Sequence, residues 1–422
     1  MFLQTERNKY LCLLVLVIFA AMLTGCGDRS ELENNAYVIA IGIDKAKKKD
    51  AVQISFLIAN PEYGSQQEGA STDEPPVELI SFEANDVSTA RNLANTVIAK
   101  KISYSLLRTM IVSETFAKDK RFIRWMYDGS RDPDIRRDIR LVVSHEPVID
   151  FFENNRPRLE SRPHKYFEFM LKRGTETATI PNSLLNHYFR ITEADADAFL
   201  AIYSTTIRSG QKENKHQEEG YFTADQFRYR GETNAAVFAG SAIFKRGRMI
   251  GKLTAEETRI AIELSNIAKA SDVLTTFPDP LNGHYKVGVR LRKNESNSIQ
   301  MNLEKKQPEI DVTIPLIADV VSVHSLQQYA ASLEKQHILK HALEKDIETR
   351  AKKLIQKTQR VYGVEPFGWS LKARREFLTN PEYERFDWMK QYPHMKVNVK
   401  VELSIQKFGR QDKSIHFKEG RE

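Results

Sequence analysis

The chain has 422 residues, of which 41% are hydrophobic and 28% charged, with a formal net charge of +7 and a pI near 9.1. These values exclude a multi-span membrane protein and a disordered chain, leave room for two or three domains, and leave the basic excess too thinly spread to mark a nucleic-acid partner. The two cysteines, Cys12 and Cys26, leave no internal disulfide once the leader is removed, so core burial has to hold the fold together.

Residues 1–25 read as a lipoprotein signal peptide. The first ten residues are polar and carry Arg7 and Lys9; a continuous apolar run, LCLLVLVIFAAM, fills 11–22; Leu23-Thr24-Gly25-Cys26 follows directly. A bilayer-spanning helix needs about 20 apolar residues, so this run is short for a span and right for a signal-peptide core. Small residues before the cleavage point fit a tight peptidase pocket, and the thiol of Cys26 is the nucleophile that accepts a diacylglyceryl group. Cys26 is therefore the expected lipidation site. Two acyl chains hold a protein stably where one is marginal, because each buried CH₂ contributes about 0.8 kcal/mol. An uncleaved signal anchor and an ordinary signal peptide with a chance cysteine are the rival readings.

Residues 26–35 form a short, charged, lipidated tether. Residues 36–45 (AYVIAIGIDK) are apolar at both parities, which predicts a buried strand; a charged turn at 45–50 and a strand at 52–59 complete a hairpin. Residues 60–76 lack any period and read as a surface loop. A β/α rhythm follows. It predicts a strand at 77–83, then a helix capped by Asp86 and running to 101, with Ala90, Leu93, Ala94, Val97 and Ile98 as its apolar stripe. A strand at 106–113, a helix at 115–127 and a strand at 139–144 come next, and 145–194 turns helical and aromatic. The expectation is an N-terminal mixed α/β domain over 36–194, with a subdivision near 145–150 left open.

A C-terminal α+β domain is expected over 195–415. It opens with a strand at 198–207 and a polar insertion without a core face at 209–226. A hairpin at 235–244 and 248–253 closes on Lys245-Arg246-Gly247. Thr254, with Glu257 three residues on, has capping-box spacing and starts a helix with Ile260, Ile262, Leu264 and Ile267 as its apolar face. Strands follow near 283–293, 298–303 and 309–323. The longest element is a helix over about 326–361, where Leu339, Leu343, Ile347, Ala351 and Ile355 recur every four residues. Residues 397–406 alternate as a half-exposed strand. The fold class is α+β: two or three mixed domains, sheets partly covered by helices, and one long helix in the C-terminal half.

The chain has no phosphate-cradling glycine loop, no GxSxG elbow and no HExxH. His337 and His341, four apart, have chelating spacing but no evident third ligand, so an exposed helical pair is the better reading. Asp132, Asp134 and Asp138 lie in DGSRDPDIRRDIR and lack the Gly and Glu of a calcium loop; a turn with arginine–carboxylate pairs is the better reading. No serine shows a base–orienter pair, so no enzyme is expected, and no cofactor or metal beyond the covalent lipid on Cys26.

Several segments resemble the spore germinant-receptor C-subunit family, the Ger(x)C lipoproteins. Cys26-Gly27-Asp28-Arg29 through Ile41-Gly42-Ile43-Asp44 is similar to the family's start, and Arg131-Asp132-Pro133-Asp134-Ile135-Arg136-Arg137 to its Arg-Asp-Pro-Glu-Ile-Arg stretch. Gly240-Ser241-Ala242-Ile243-Phe244-Lys245 through Gly251-Lys252-Leu253 and Glu256-Glu257-Thr258-Arg259 matches its most recognisable block. The helix near 348–361, Phe367-Gly368-Trp369 and the strand at 397–401 complete it in order. Gly27 stands where the family often has Trp. The resemblance implies a non-catalytic, lipid-anchored subunit on the outer face of the spore inner membrane. Its implied partners are a multi-span A subunit and a permease-like B subunit, in a complex that answers nutrients by triggering germination. Direct binding of a small molecule is left open. A solute-binding lipoprotein of a membrane transporter is the alternative, which should show repeated βα units in two lobes; a cell-wall enzyme is a third reading.

Overall fold

The computed structural model describes residues 34–48, 50–59, 77–160, 162–194, 196–208, 219–266, 273–293 and 295–409. The leader, the tether before residue 34, the loop at 60–76, most of the polar insertion and Ile267 lie outside them.

Strands β1 (Asn35–Lys45), β2 (Val52–Ala59) and β3 (Val77–Ala84) form an antiparallel meander. Helix α1 (Val87–Ala94) leads to β4 (Lys101–Ser103) and β5 (Thr109–Ser113). Then come α2 (Glu114–Ala117), α3 (Phe122–Gly129), β6 (Arg140–Ser144), α4 (Val148–Asn154), α5 (Pro163–Glu176), α6 (Leu185–Ala194), β7 (Phe199–Thr205), β8 (Val237–Lys245) and β9 (Arg248–Leu253). All nine strands make one sheet in the order β3-β2-β1-β5-β6-β7-β8-β9, with β4 beside the start of β1. Its middle, β1-β5-β6-β7, is parallel. Parallel strands need crossover helices, and these cover both faces. One face packs Val38, Ile41 and Ile43 against residues of α1, α3 and α6; the other packs Ile39, Ala40 and Ile111 against α4 and α5. A bulge between Val38 and Ala40 explains how Val38 and Ile41, three apart, share a face.

The second sheet contains β10 (Val273–Pro278), β11 (Lys286–Arg292), β12 (Ser298–Asn302), β13 (Glu309–Val323) and β14 (Lys396–Phe408). Helix α7 (Ala255–Leu264) precedes it, and α8 (Leu333–Lys357) connects β13 to β14. Only one face of this sheet is covered. Ile310, Val312, Ile314, Val399, Val401 and Leu403 point at Leu339, Leu343, Ile347, Ala351 and Ile355 of α8, while Asp311, Lys400, Glu402 and Ser404 stay outward. Helix α8 starts at Ser332, whose side chain accepts the Lys335 N–H, and ends in a π turn over Thr358–Tyr362 closed by left-handed Gly363. At the outer edge of β14 the backbone N–H groups of Val401 and Leu403 donate to Glu348 and Glu344 of that helix, both at 3.0 Å.

The α+β class holds, but several boundaries move. Strands β7, β8 and β9 lie beyond residue 195, where a second unit was expected, and hydrogen-bond into the first sheet; the change of sheet comes after α7. Helix α1 stops at Ala94 instead of 101, and of the expected stripe Leu93, on the outer side of the helix, and Val97, beyond its end, are exposed. The single helix at 115–127 is two, joined by a turn in which the Asp119 carboxylate accepts the Arg121 N–H at 2.9 Å. In the supposedly coreless insertion Phe222 and Ala224 are buried. Strand β10 was not expected; its Thr275, Thr276 and Pro278 dilute the apolar signal.

Candidate functional site: the seam between the two sheets

The β8–β9 hairpin turns on Arg246 and Gly247, both with positive φ (50° and 72°), the geometry of a tight two-residue hairpin turn. Thr254 then caps α7 with a reciprocal capping box to Glu257. This helix is buried on nearly every side, including its charged residues Glu256, Arg259 and Glu263. Arg350 of α8 reaches Glu256 at 2.8 Å and Asp346 at 2.6 Å, and its guanidinium lies 4.8 Å from the Phe277 ring centroid. Arg259 takes the other Glu256 oxygen at 2.7 Å. Burial works against the Arg350 charge, and Glu256 and Asp346 more than offset it. Lys357 pairs with Glu257 at 2.7 Å, and Thr258 and Ser241 share a hydroxyl contact at 2.8 Å. Burial, aided by the Glu256 charge, pushes the Glu263 carboxyl up to about 7. Each of Glu256, Glu257, Thr258 and Arg259 thus joins α7 to a neighbouring element or to its own network.

A second set of contacts closes the seam. The Tyr362 hydroxyl donates to the Lys252 carbonyl of β9 at 2.8 Å, and Lys245 donates to the Gly363 carbonyl at 2.9 Å. Glu365 is fully buried, and its carboxylate accepts backbone N–H groups of Phe367, Trp369 (2.9 Å) and Ser370 (3.2 Å). Trp369, also fully buried, donates its indole N–H to the Leu264 carbonyl at 3.1 Å. Asp197, at the start of β7, is the companion carboxyl. Burial pushes it up to about 6, and burial together with the Asp197 charge raises Glu365 well above its usual range. The Asp197 Oδ1 is buried without a hydrogen-bond partner. Beside it lies a cavity of about 130 Å³ lined by His187, Arg190, Asp197, Phe199, Ile262 and Phe367, among others.

At the other end of the first sheet, where the parallel strands finish, the polar groups are matched. Gly42 brings β1 close to α4, since a Cβ there would sit 2.5 Å from Val148 Cγ1, and Asp44 accepts the Val148 N–H at 2.8 Å. Tyr203 donates to Glu114; Lys252 lies 3.0 Å from both the Tyr203 hydroxyl and Asp225. Burial alone would raise the Glu114 carboxyl, but Lys118, Tyr203 and Lys252 hold it down at about 2. Glu146 accepts from Thr205 and Thr206. These groups neutralise one another.

Cys26, the one expected site residue, lies outside the described residues. His337 and His341 are exposed on α8. Asp132 and Asp134 are engaged by Arg91, at 3.2 and 2.5 Å, and Asp138 by Arg136. Among the described residues no group of three or more His, Cys, Asp or Glu side chains is placed to hold a metal. The seam residues Asp197, Arg350 and Glu365 escaped the sequence reading, because each partner pair is separated by a long stretch of chain and neither half carries a local pattern.

Residues 28–205 match the family described as "Spore germination protein N-terminal domain", and residues 239–409 match "Spore germination B3/GerAC like, C-terminal". The chain belongs to this spore germination family. The family is that of the germinant-receptor C subunits and is not a known enzyme family. The first match ends with β7 and the second begins within β8, so the nine-stranded sheet is built from both. Spore germination protein KC of Bacillus subtilis is 24% identical, with 97% of this chain and 98% of that one aligned. The B. subtilis chain YfkR, which also bears a spore germination name, is 23% identical over 96% of this chain and 98% of its own. The crystal structure of the GerBC protein superposes with a TM-score of 0.53, covering 86% of this chain and 96% of that one at 14% identity, a likeness of fold.

Proposed function

We propose that this chain is the lipid-anchored C subunit of a nutrient germinant receptor, held on the outer face of the spore inner membrane through acyl chains on Cys26. In this reading it works beside a multi-span A subunit and a permease-like B subunit and supports germination triggered by nutrients. The observation that carries the reading is the match of both halves of the chain to one germination family, joined to a leader that ends in Leu-Thr-Gly-Cys. No helix among the described residues is long and apolar enough to cross a membrane, and the anchor is argued from the leader alone.

The physical role is positional. The seam bonds α7 to α8 and β9 to the π turn, so the two sheets present one braced surface to neighbouring subunits. The test is acyl labelling in a spore-forming host. Wild-type chain is expected to take up labelled fatty acid and sediment with membranes, and Cys26→Ala to do neither. Labelled, membrane-bound Cys26→Ala would refute the anchor. Spores lacking the gene are expected to germinate poorly with at least one nutrient, and normal germination with every nutrient in a strain without paralogues would refute the receptor role.

A further inference from the structure

We infer that the cavity beside Asp197 binds a small amphoteric molecule, one with an ammonium group at one end and a carboxylate at the other. The inference goes beyond the anchor and receptor readings, and it holds whether or not Cys26 is acylated. Three observations carry it.

The cavity has a polar floor. Asp197 lines it, is 6% exposed, and meets Glu365 and Ser370, yet its Oδ1 is buried without a hydrogen-bond partner. A buried acceptor left unpaired is costly, and an occupant that donates a hydrogen bond removes that cost. Two carboxyls in contact at a buried site cannot both ionise, so Asp197 and Glu365 keep one proton between them and the floor carries one negative charge. An ammonium group, a donor that also bears positive charge, is its matched partner.

The opposite charge stands at the rim. His187 and Arg190, both on α6, line the cavity; Arg190 is exposed, and its charge acts on both Asp197 and His187. Burial and that charge hold His187 below its usual range, so the imidazole is neutral and Arg190 supplies the cation. A simple anion would meet the carboxyl pair, and a simple cation would meet Arg190. A molecule with both charges, entering with its ammonium group first, satisfies each.

Finally, the walls and the volume set the body of the molecule. Phe199, Ile262 and Phe367 are buried apolar side chains, against which a polyhydroxylated ligand would leave its hydroxyls unpaired. The cavity, at about 130 Å³, exceeds the roughly 10–15 Å³ that a single water needs and falls short of the roughly 300–1,000 Å³ of drug-sized sites, which selects a short aliphatic chain. These walls come from β7, from α7 and from the segment after the π turn. The occupant therefore touches both halves of the seam, and its binding tightens the join between the sheets.

The test uses the full mature chain in detergent micelles. The probes are the α, β and γ isomers of aminobutyrate, which differ only in the spacing of their charges, with butyrate and propylamine as single-charge analogues. A ligand this small is expected to bind at about 0.01–1 mM. Calorimetry should place at least one aminobutyrate in that range, about tenfold tighter than either single-charge analogue. Arg190→Gln, on the exposed rim, and Asp197→Asn should each weaken it about tenfold; if the second variant does not fold, the first still decides. Hydrogen exchange locates the site, since bound ligand should slow the N–H groups of Phe367, Trp369 and Ser370 that rest on Glu365. Four results would each overturn the proposal: no binding of any isomer at about 10 mM, equal binding of a single-charge analogue, unchanged affinity in Arg190→Gln, or unchanged exchange at those three groups. Each of them leaves the acyl anchor standing.

Discussion

The two sheets bury their strands in different ways, and the difference decides what each tolerates. The first is covered on both faces, so β1 is buried over nine of its eleven residues and has no parity to spare. The second is covered on one face only, and β13 and β14 alternate between core and solvent. A doubly covered strand has to be apolar throughout and depends on close backbone approach. A singly covered one keeps a free face for charge.

Measurements can break or sharpen that contrast. The largest effect is expected at the seam between the sheets: Arg350→Met takes from the buried Glu256 one of its two guanidinium partners, leaving only Arg259, and should cost about 3–5 kcal/mol in urea denaturation. The double variant with Glu256→Gln should lose less than the sum of the single losses, and strict additivity would deny the coupling. Within the first sheet, Ile39→Ala and Ile41→Ala should each cost about 2–5 kcal/mol although they face opposite cores. In β14, Val401→Ala should approach that range while Glu402→Ala stays within about 0.5 kcal/mol. Equal losses at 401 and 402 would mean that the second sheet is covered twice. Gly42→Ala, which drives a methyl into Val148, should cost about 1–3 kcal/mol.

The seam also gives a pH signature. Asp197 and Glu365 are held above their unfolded-chain values, near 3.9 and 4.3, so the folded state binds more protons than the unfolded one in between. Their contribution is complete below about pH 4 and is lost as pH rises, across about 4 to 6 for Asp197. The slope should not exceed about 1.4 kcal/mol per pH unit for each group. Urea midpoints for Asp197→Asn should be flatter over that window; an unchanged slope would remove the carboxyl pair as its cause. A small loss is expected at Thr254→Ala, where removal of the capping oxygen should cost about 1 kcal/mol.

Legibility followed the range of the forces involved. Strands β1, β2 and β13, the Arg246-Gly247 turn, the Thr254 capping box and the four-residue stripe of α8 are written in neighbouring residues, and all were readable. The early stop of α1 was not, because Val97 and Ile98 continue a helical stripe and only the turn into β4 takes them out of it. That β7 to β9 join the first sheet was not readable, because β7 reads like a fresh start and only its pairing with β6 and β8 assigns it. Asp197 and Glu365 meet from distant parts of the chain, and no local pattern announces a buried carboxyl pair. The chemistry of Cys26 was read from the leader and lies beyond the described residues.

The two glutamates that α8 lays along the margin of β14 have a consequence for assembly. They occupy two of the donors that an incoming extended segment would need on that margin. An incoming strand that continued the sheet past Val401 and Leu403 would first have to displace these two carboxylates, so the margin is guarded by side chains that substitution can retune without refolding the core.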